Sequence, residues 1–191
     1  MSQREDLLAG ARQCLVEKGY YRTTARDIAA ASGAHLASIG YHFGSKDALM
    51  NLAALQAQDE WGDVVAAAVR ASAHASPSDR LRVCLEQLIT SLPRHRQLIV
   101  ASVQAYAQAE FADDIRQALL DAGGQAKVEF AAVLLDREAD EIDDKTADTV
   151  GTMAYSMVIG LAVQSLLAPA TLPTGEQAVA ALRALVAERD D

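Results

Sequence analysis

Aromatic residues are scarce in this sequence, with one Trp, three Phe and five Tyr among 191 residues, and proline occurs only four times. A chain so poor in strand-favouring aromatics and so rich in alanine favours helix over strand almost throughout. There are two cysteines, Cys14 and Cys84, at neither disulfide-framework nor metal-ligand spacing, so a reducing, cytoplasmic setting is expected. The opening Met1–Asp6 has no apolar core behind a basic start, and a secretory signal is not expected there. Catalytic signatures are missing too. Neither a G-x-S-x-G elbow nor a P-loop Gly-Lys-Ser/Thr occurs. His74 and His95 have no His or Cys four residues away, and Asp140, Glu141, Asp143 and Asp144 form a solvated run, not an arranged carboxylate pair. Neither metal nor cofactor is expected, and the pattern argues against an enzyme.

What remains is a chain that is 51% hydrophobic and 23% charged, enough to fold as one large domain or two small ones. Its net charge of −9 is unevenly spread. Residues 1–50 carry six basic and five acidic side chains, whereas the remainder carries 11 basic and 21 acidic. An acidic body repels polyanions and confines any contact with them to the N-terminal end. The same charge also serves simply to keep an alanine-rich helical body soluble.

Leu7, Leu8, Ala11 and Leu15 recur at helical spacing, and Lys18-Gly19 ends that helix. Thr24 with Asp27 three residues on forms a capping box at the start of a second, short helix, which Ser32-Gly33 breaks. A third spans Leu36 to Phe43 with Ile39 and Phe43 inward, and Ser45 caps the next. Helices this short are marginal alone. Joined by a tight glycine-containing turn, they read as a helix-turn-helix, one helix bracing and the other presented to a groove. Longer helices follow, the first from Lys46 to His74. Ser76-Pro77 starts the next, carrying a stripe of Leu81, Leu85, Leu88 and Leu92 that Pro93 ends. Ile99, Val103 and Tyr106 mark another. A further long helix carries Ile115, Leu119, Val128, Leu134 and Leu135, with a kink or loosening expected at Gly123-Gly124. A solvated linker over Asp136–Asp144 precedes a final pair of helices, Thr146–Ala168 and Gly175–Glu188.

No charge stands between Asp148 and Glu176, a gap long enough to span a bilayer. Thr149, Thr152, Ser156, Gln164 and Ser165 interrupt it and Pro169 cuts it, so a membrane is not expected. One stripe of this helix carries Val150, Met153, Met157 and Leu161, and the other carries Tyr155, Ile159, Ala162 and Leu166. Gly151 and Gly160 invite close approach by a neighbouring helix. An all-round apolar helix needs partners on two sides. Together with Leu182 and Leu185 of the last helix, Tyr155, Ile159, Ala162 and Leu166 are expected to form a four-helix interface in a homodimer.

Glu17-Lys18-Gly19-Tyr20, then Thr23 to Ala29, then Ser32-Gly33, then Ile39 to Lys46 resemble the corresponding segment of TetR-type (tetracycline-repressor-like) transcriptional regulators. That resemblance covers the first quarter of the chain, in order and without gaps; beyond it only the helical architecture is similar. It implies an all-α fold: a three-helix helix-turn-helix DNA-binding domain over residues 1–46 and a larger helical ligand-binding and dimerisation domain over 47–191. It further implies a homodimeric, cytoplasmic regulator, most simply a repressor, that binds an approximately palindromic double-stranded DNA operator and is released by a small lipophilic effector. Carried over position by position, Leu36, Ala37, Ser38 and Gly40 become base-facing. Thr24, Tyr41, His42 and Lys46 become phosphate contacts, with Arg26 an addition; hydroxyl, imidazole and ammonium donors suit that role. Ordinary packing beside Phe43 is the competing account of Tyr41 and His42.

Three departures stand out. His35 occupies the usual Ser/Thr cap position, Ala34 replaces a larger aliphatic residue, and Gly40 stands where an aromatic is frequent. With Ala37 and Gly40 so small, direct base reading is expected to be sparse. These departures also keep open a helical ligand-binding or adaptor protein that has lost DNA binding. For the effector, Trp61, Leu85, Leu88, Val103, Tyr106, Phe130, Met153 and Met157 could line an apolar cavity, with Gln104, Cys84, Gln87 and Tyr155 as polar handles, although each serves equally well as core.

Overall fold

The computed structural model of the chain describes residues 2–71, 76–111 and 113–186. The expected helix ends at His74 and Glu188 lie outside the described residues. Among the described residues there is no strand. The helices are α1 (Gln3–Glu17), α2 (Ala25–Ser32), α3 (Ala37–Phe43), α4 (Lys46–Arg70), α5 (Pro77–Ser91), α6 (Arg96–Gln108), α7 (Asp113–Leu135), the single turn α8 (Asp144–Thr146), α9 (Thr152–Leu167) and α10 (Gly175–Val186).

The chain packs as two compact units. The first comprises Met1–Trp61 with His95–Leu119, the second Gly62–Arg94 with Leu120–Asp191. In the first, Leu7, Ala11 and Leu15 of α1, Ile28 of α2, Ile39 of α3, Leu49 and Met50 of α4, and Leu98 and Ala101 of α6 share one buried core. That core explains why α2 and α3, at eight and seven residues, hold together. Neither sustains a helix alone, but burying a side chain the size of isoleucine stabilises by about 1.5–3 kcal/mol.

In the second unit, Cys84, Leu85 and Leu88 of α5, Ala131 to Leu134 of α7, Ala154 of α9 and Val179 of α10 are buried. The Gly175 amide at the start of α10 donates to Glu86 Oε2 of α5 at 2.7 Å. Arg80 is buried at 2% exposure and ion-pairs with Asp136, the first residue of the acidic run, which adopts a left-handed φ of 60°. That run is therefore not all linker: its first carboxylate answers a buried guanidinium, and Asp143 caps α8 through Thr146 N–H at 2.7 Å. Burial pushes the Cys84 thiol up to about 11 and raises that of Cys14 as well, so both stay protonated at neutral pH.

α7 stays helical through Gly123-Gly124, where a Cβ on Gly123 would lie 3.5 Å from Tyr155 Cε1. The last long helix is not uniform: a π turn over Ala147–Gly151 joins α8 to α9, which corrects the expectation of a single regular helix. Gly151 does permit a close approach, since a Cβ there would stand 2.2 Å from the Lys127 carbonyl oxygen of α7. At Gly160 a Cβ would meet nothing within 4 Å. By length and composition the run Asp144–Leu167 could cross a membrane, yet of α9's own residues only Ala154 and Ser165 are buried.

Candidate nucleic-acid interface

The first three helices are placed by backbone chemistry as much as by the core. Ser2 and Glu5 cap α1 reciprocally. At α2, Asp27 N–H donates to Thr24 Oγ1 at 3.2 Å, while Thr24 N–H and hydroxyl donate to Asp27 Oδ2 at 2.8 and 2.7 Å. The Lys18 ammonium bonds Asp27 Oδ1 at 2.5 Å, and this contact, with the two from Thr24, holds the Asp27 carboxyl well below the ordinary carboxylate range. Gly33 closes α2 with φ of 69°, a left-handed conformation that a side-chain-bearing residue adopts only with strain, and so turns the chain toward α3.

The close approach of α1 and α2 depends on a residue the sequence pattern does not single out. A Cβ on Gly10 would lie 2.9 Å from both Ser32 Cβ and Ser32 N, and 3.1 Å from the Ile28 carbonyl oxygen. A helical glycine four residues from nothing unusual carries no local signal; only the packed pair shows why it is there.

α3 begins without a side-chain cap. With His35 in place of a hydroxyl residue a looser start is expected; instead Ser38 N–H donates to the His35 carbonyl at 3.0 Å and Ile39 N–H to the Leu36 carbonyl at 3.3 Å, a tight first turn. Ile39 is buried and Phe43 packs on the core, so the opposite side of α3 is presented outward. Leu36 is 48% exposed and Tyr41 86%, Ala37 and Gly40 are exposed, and Ser38 is half-buried. His42 lies 4.8 Å from the Tyr41 ring, edge to face, and its Nε2 is 3.4 Å from Gln3 Oε1. The Arg4 guanidinium sits 5.1 Å over Phe43. The N-terminal turn of α1 therefore borders the outer side of α3 and adds a basic residue to it. Gln3 and Arg4 are members of this surface that the motif did not indicate.

The remaining carried-over positions differ in freedom. Arg26 is exposed, and Thr24 is exposed but committed to its cap. Lys46 is held. Its ammonium lies 2.8 Å from Asp47 Oδ1, 3.5 Å from the Thr23 carbonyl and 5.4 Å over the Tyr20 ring. Asp47 thus offsets the unfavourable placement of a cation in the first turn of α4.

The side chains expected around an effector do not gather in one place. Trp61, Val103, Gln104 and Tyr106 belong to the first unit, where Trp61 stacks on His95 at 4.7 Å and the Gln104 side-chain oxygen is buried with no hydrogen-bond partner among the described residues. Leu85, Leu88, Phe130, Met153 and Met157 belong to the second. There Leu85 and Leu88 are core, while Met153 is 63% exposed. A cavity of about 250 Å³ does occur in the first unit, lined from α4, α6, α7 and Tyr20, and none of these nine residues lines it. Apolar stripes reveal which side of a helix turns inward, not where packing leaves a void. Of the expected interface positions, Tyr155 packs on Phe130 at 6.3 Å, Ile159, Ala162, Leu166 and Leu182 are half-buried, and Leu185 is 81% exposed.

Comparison with known proteins agrees with this architecture. Residues 7–53 match the bacterial regulatory proteins of the tetR family, and residues 77–190 match the C-terminal domain of BetI-type transcriptional repressors. No curated protein sequence gives a match. Among solved structures, a protein assigned as a transcriptional regulator in Rhodococcus sp. RHA1 superposes with a TM-score of 0.74 at 18% identity, covering 96% of this chain and 95% of that one. Another from Pseudomonas aeruginosa PAO1 gives 0.67 at 23% identity, over 96% and 88% of the two chains. The multidrug binding protein EbrR, complexed with imidazole, gives 0.65 at 25% identity, over 100% and 99%. The chain belongs to the TetR family of bacterial regulatory proteins and is an all-helical, non-enzymatic transcription factor with an N-terminal helix-turn-helix for binding DNA.

Proposed function

We propose that the protein is a cytoplasmic, homodimeric repressor that binds an approximately palindromic operator and leaves it when a small lipophilic molecule binds. The observation that carries the DNA side is the presentation of α3: Ile39 anchors it inward while Leu36, Ala37, Gly40 and Tyr41 stand exposed. Leu36, Ala37, Ser38 and Gly40 would face the bases. Tyr41, His42, Lys46, Arg26 and the Thr24 end of α2 would hold the backbone in register, with Arg4 and Gln3 of α1 alongside. A two-fold pair of such helices reads successive major grooves about 34–36 Å apart.

The dimer reading is supported by what α9 and α10 leave uncovered. Met153 and Leu167 of α9, and Leu185 and Val186 of α10, are 63%, 82%, 81% and 79% exposed. A second copy of the same two helices is the occupant that these exposed apolar side chains fit, with Tyr155, Ile159, Ala162, Leu166 and Leu182 at the margin. Covering by a partner also accounts for a charge-free helix that shows little burial in one chain, without recourse to lipid. The effector reading is supported by the similarity to EbrR, whose structure holds imidazole, and by the uncharged cavity in the first unit.

Selection from a random duplex library at near-physiological salt tests the whole reading, since non-specific binding is weak there. Enrichment of an inverted repeat is expected. A folded, dimeric protein that enriches nothing, before and after stripping of co-purified small molecules, would favour the adaptor alternative that His35 and Gly40 leave open.

A further inference from the structure

We propose that the cavity beside Tyr20 is an effector site for a neutral molecule of one or two rings bearing a single hydrogen-bonding group, and that filling it weakens DNA binding through Tyr20. The inference rests on the reading of α3 as the DNA element, and it names where and how the effector acts.

The cavity measures about 250 Å³ and lies wholly within the first unit. Leu52 and Leu55 of α4, Ala101 and Ala105 of α6, and Ile115 and Ala118 of α7 supply much of its wall, and no lining residue is charged. An apolar cavity of roughly 150 Å³ holds benzene, so this one has room for a larger ring system. A charged ligand would lose its hydration with nothing to answer it.

Three of the lining residues carry polar side-chain groups: the hydroxyls of Tyr20 and Ser102 and the amide of Asn51. Ser102 is engaged, donating to the Leu98 carbonyl at 2.9 Å. The Tyr20 hydroxyl lies 2.6 Å from Asn51 Oδ1 and 3.3 Å from the Asp47 carbonyl, while the Asn51 NH₂ has no acceptor among the described residues. A ligand oxygen can therefore accept from Asn51, and a ligand hydroxyl can compete with Tyr20 for Asn51 Oδ1.

Tyr20 links this wall to the DNA-facing surface. Its hydroxyl bonds the first turn of α4, and its ring carries the Lys46 ammonium, which also bonds the carbonyl of Thr23, the residue preceding the cap of α2. Only two residues, Gly44 and Ser45, separate the end of α3 from the start of α4. Displacing the Tyr20 hydroxyl releases α4's first turn and Lys46 together, and so alters the support of both helix-turn-helix elements. Such a ligand binds best to the state in which Tyr20 has moved, which is the differential affinity that a shift in DNA binding requires.

The full-length protein can be titrated with 4-ethylphenol by calorimetry, and its duplex affinity measured by anisotropy with and without saturating probe. The wild type is expected to bind one probe per chain with a Kd below about 1 mM. Ala105→Leu and Ala118→Leu, each filling the cavity from a different helix, should each weaken that binding at least tenfold, about the discrimination that one or two methylenes produce. Saturating probe should weaken duplex binding by about fivefold or more. Tyr20→Phe should bring that ratio close to unity. No saturable binding, or equal binding by both filled variants, would overturn the site. Binding that leaves duplex affinity unchanged would overturn the effector role. A wild type that binds no duplex at all, even at low salt, would overturn the regulator reading and with it the coupling, while the calorimetry still decides the cavity.

Discussion

Two exposed surfaces of this molecule differ in kind. α3 turns outward small, polar and aromatic groups on a helix anchored by one buried isoleucine, and its neighbours are tied by caps and an ion pair. α9 and α10 turn outward methionine, leucine and valine, with few side chains buried in the single chain. The first is stable as it stands and is suited to a hydrated polyanion. The second exposes several large apolar side chains, which are stabilised when something covers them. The contrast teaches that exposure alone does not mark function; the chemistry of what is exposed, and what anchors the other side, does.

The contrast is broken most severely from within. Ile28→Ala removes a fully buried side chain that fastens α2, and should cost about 2–5 kcal/mol in urea unfolding. DNA binding should fall with it, while the second unit's helices keep their hydrogen-exchange protection at low denaturant. Gly10→Val should cost about 1–3 kcal/mol by forcing α1 from α2, again readable in urea. In the second unit, Asp136→Ala leaves the buried Arg80 without its carboxylate and should cost about 1–3 kcal/mol, with duplex binding by the first unit's helices unchanged.

Smaller changes sharpen the comparison. Leu182→Asp is expected to shift sedimentation toward the monomer while circular dichroism stays helical, whereas Tyr41→Ala should weaken duplex binding across sequences and leave sedimentation unchanged. The smallest effect concerns acid. The Asp27 carboxyl is lowered in the folded state, so its contribution is fully present above the ordinary carboxylate value and is lost only as pH falls through the lower folded value. Protection against amide exchange at the start of α2, corrected for the intrinsic rate, should therefore hold steady down to about pH 4 and fall below it, and Asp27→Asn should lower that protection and remove its dependence on acid.

Much of the first unit was legible because its signals are local. Thr24 with Asp27, Ser32-Gly33, Ser45 and the spacing of Ile39 and Phe43 each act within a few residues, so reading the chain in order recovers α1 to α3 and the outward side of α3. Lys46 was legible as a candidate contact, but not its tether to Tyr20, which spans 26 residues and depends on how α4 docks. Gly10 and Arg4 were missed for the same reason: each is explained by a partner on another helix. The π turn at Ala147–Gly151 left no trace in the apolar pattern; it lies where Gly151 passes close to the α7 backbone at Lys127, a contact between distant residues.

The sequence by itself determined the helical class, the helix-turn-helix with its caps and turn, the uneven charge and the family, because composition, periodicity and short motifs act locally or sum over the chain. The tertiary structure decided where a cavity is left, which buried charge is answered by which carboxylate, and how Tyr20 joins that cavity to α4. Voids, ion pairs and hydrogen bonds between distant residues are properties of packed surfaces, and those surfaces exist only once the helices have come together.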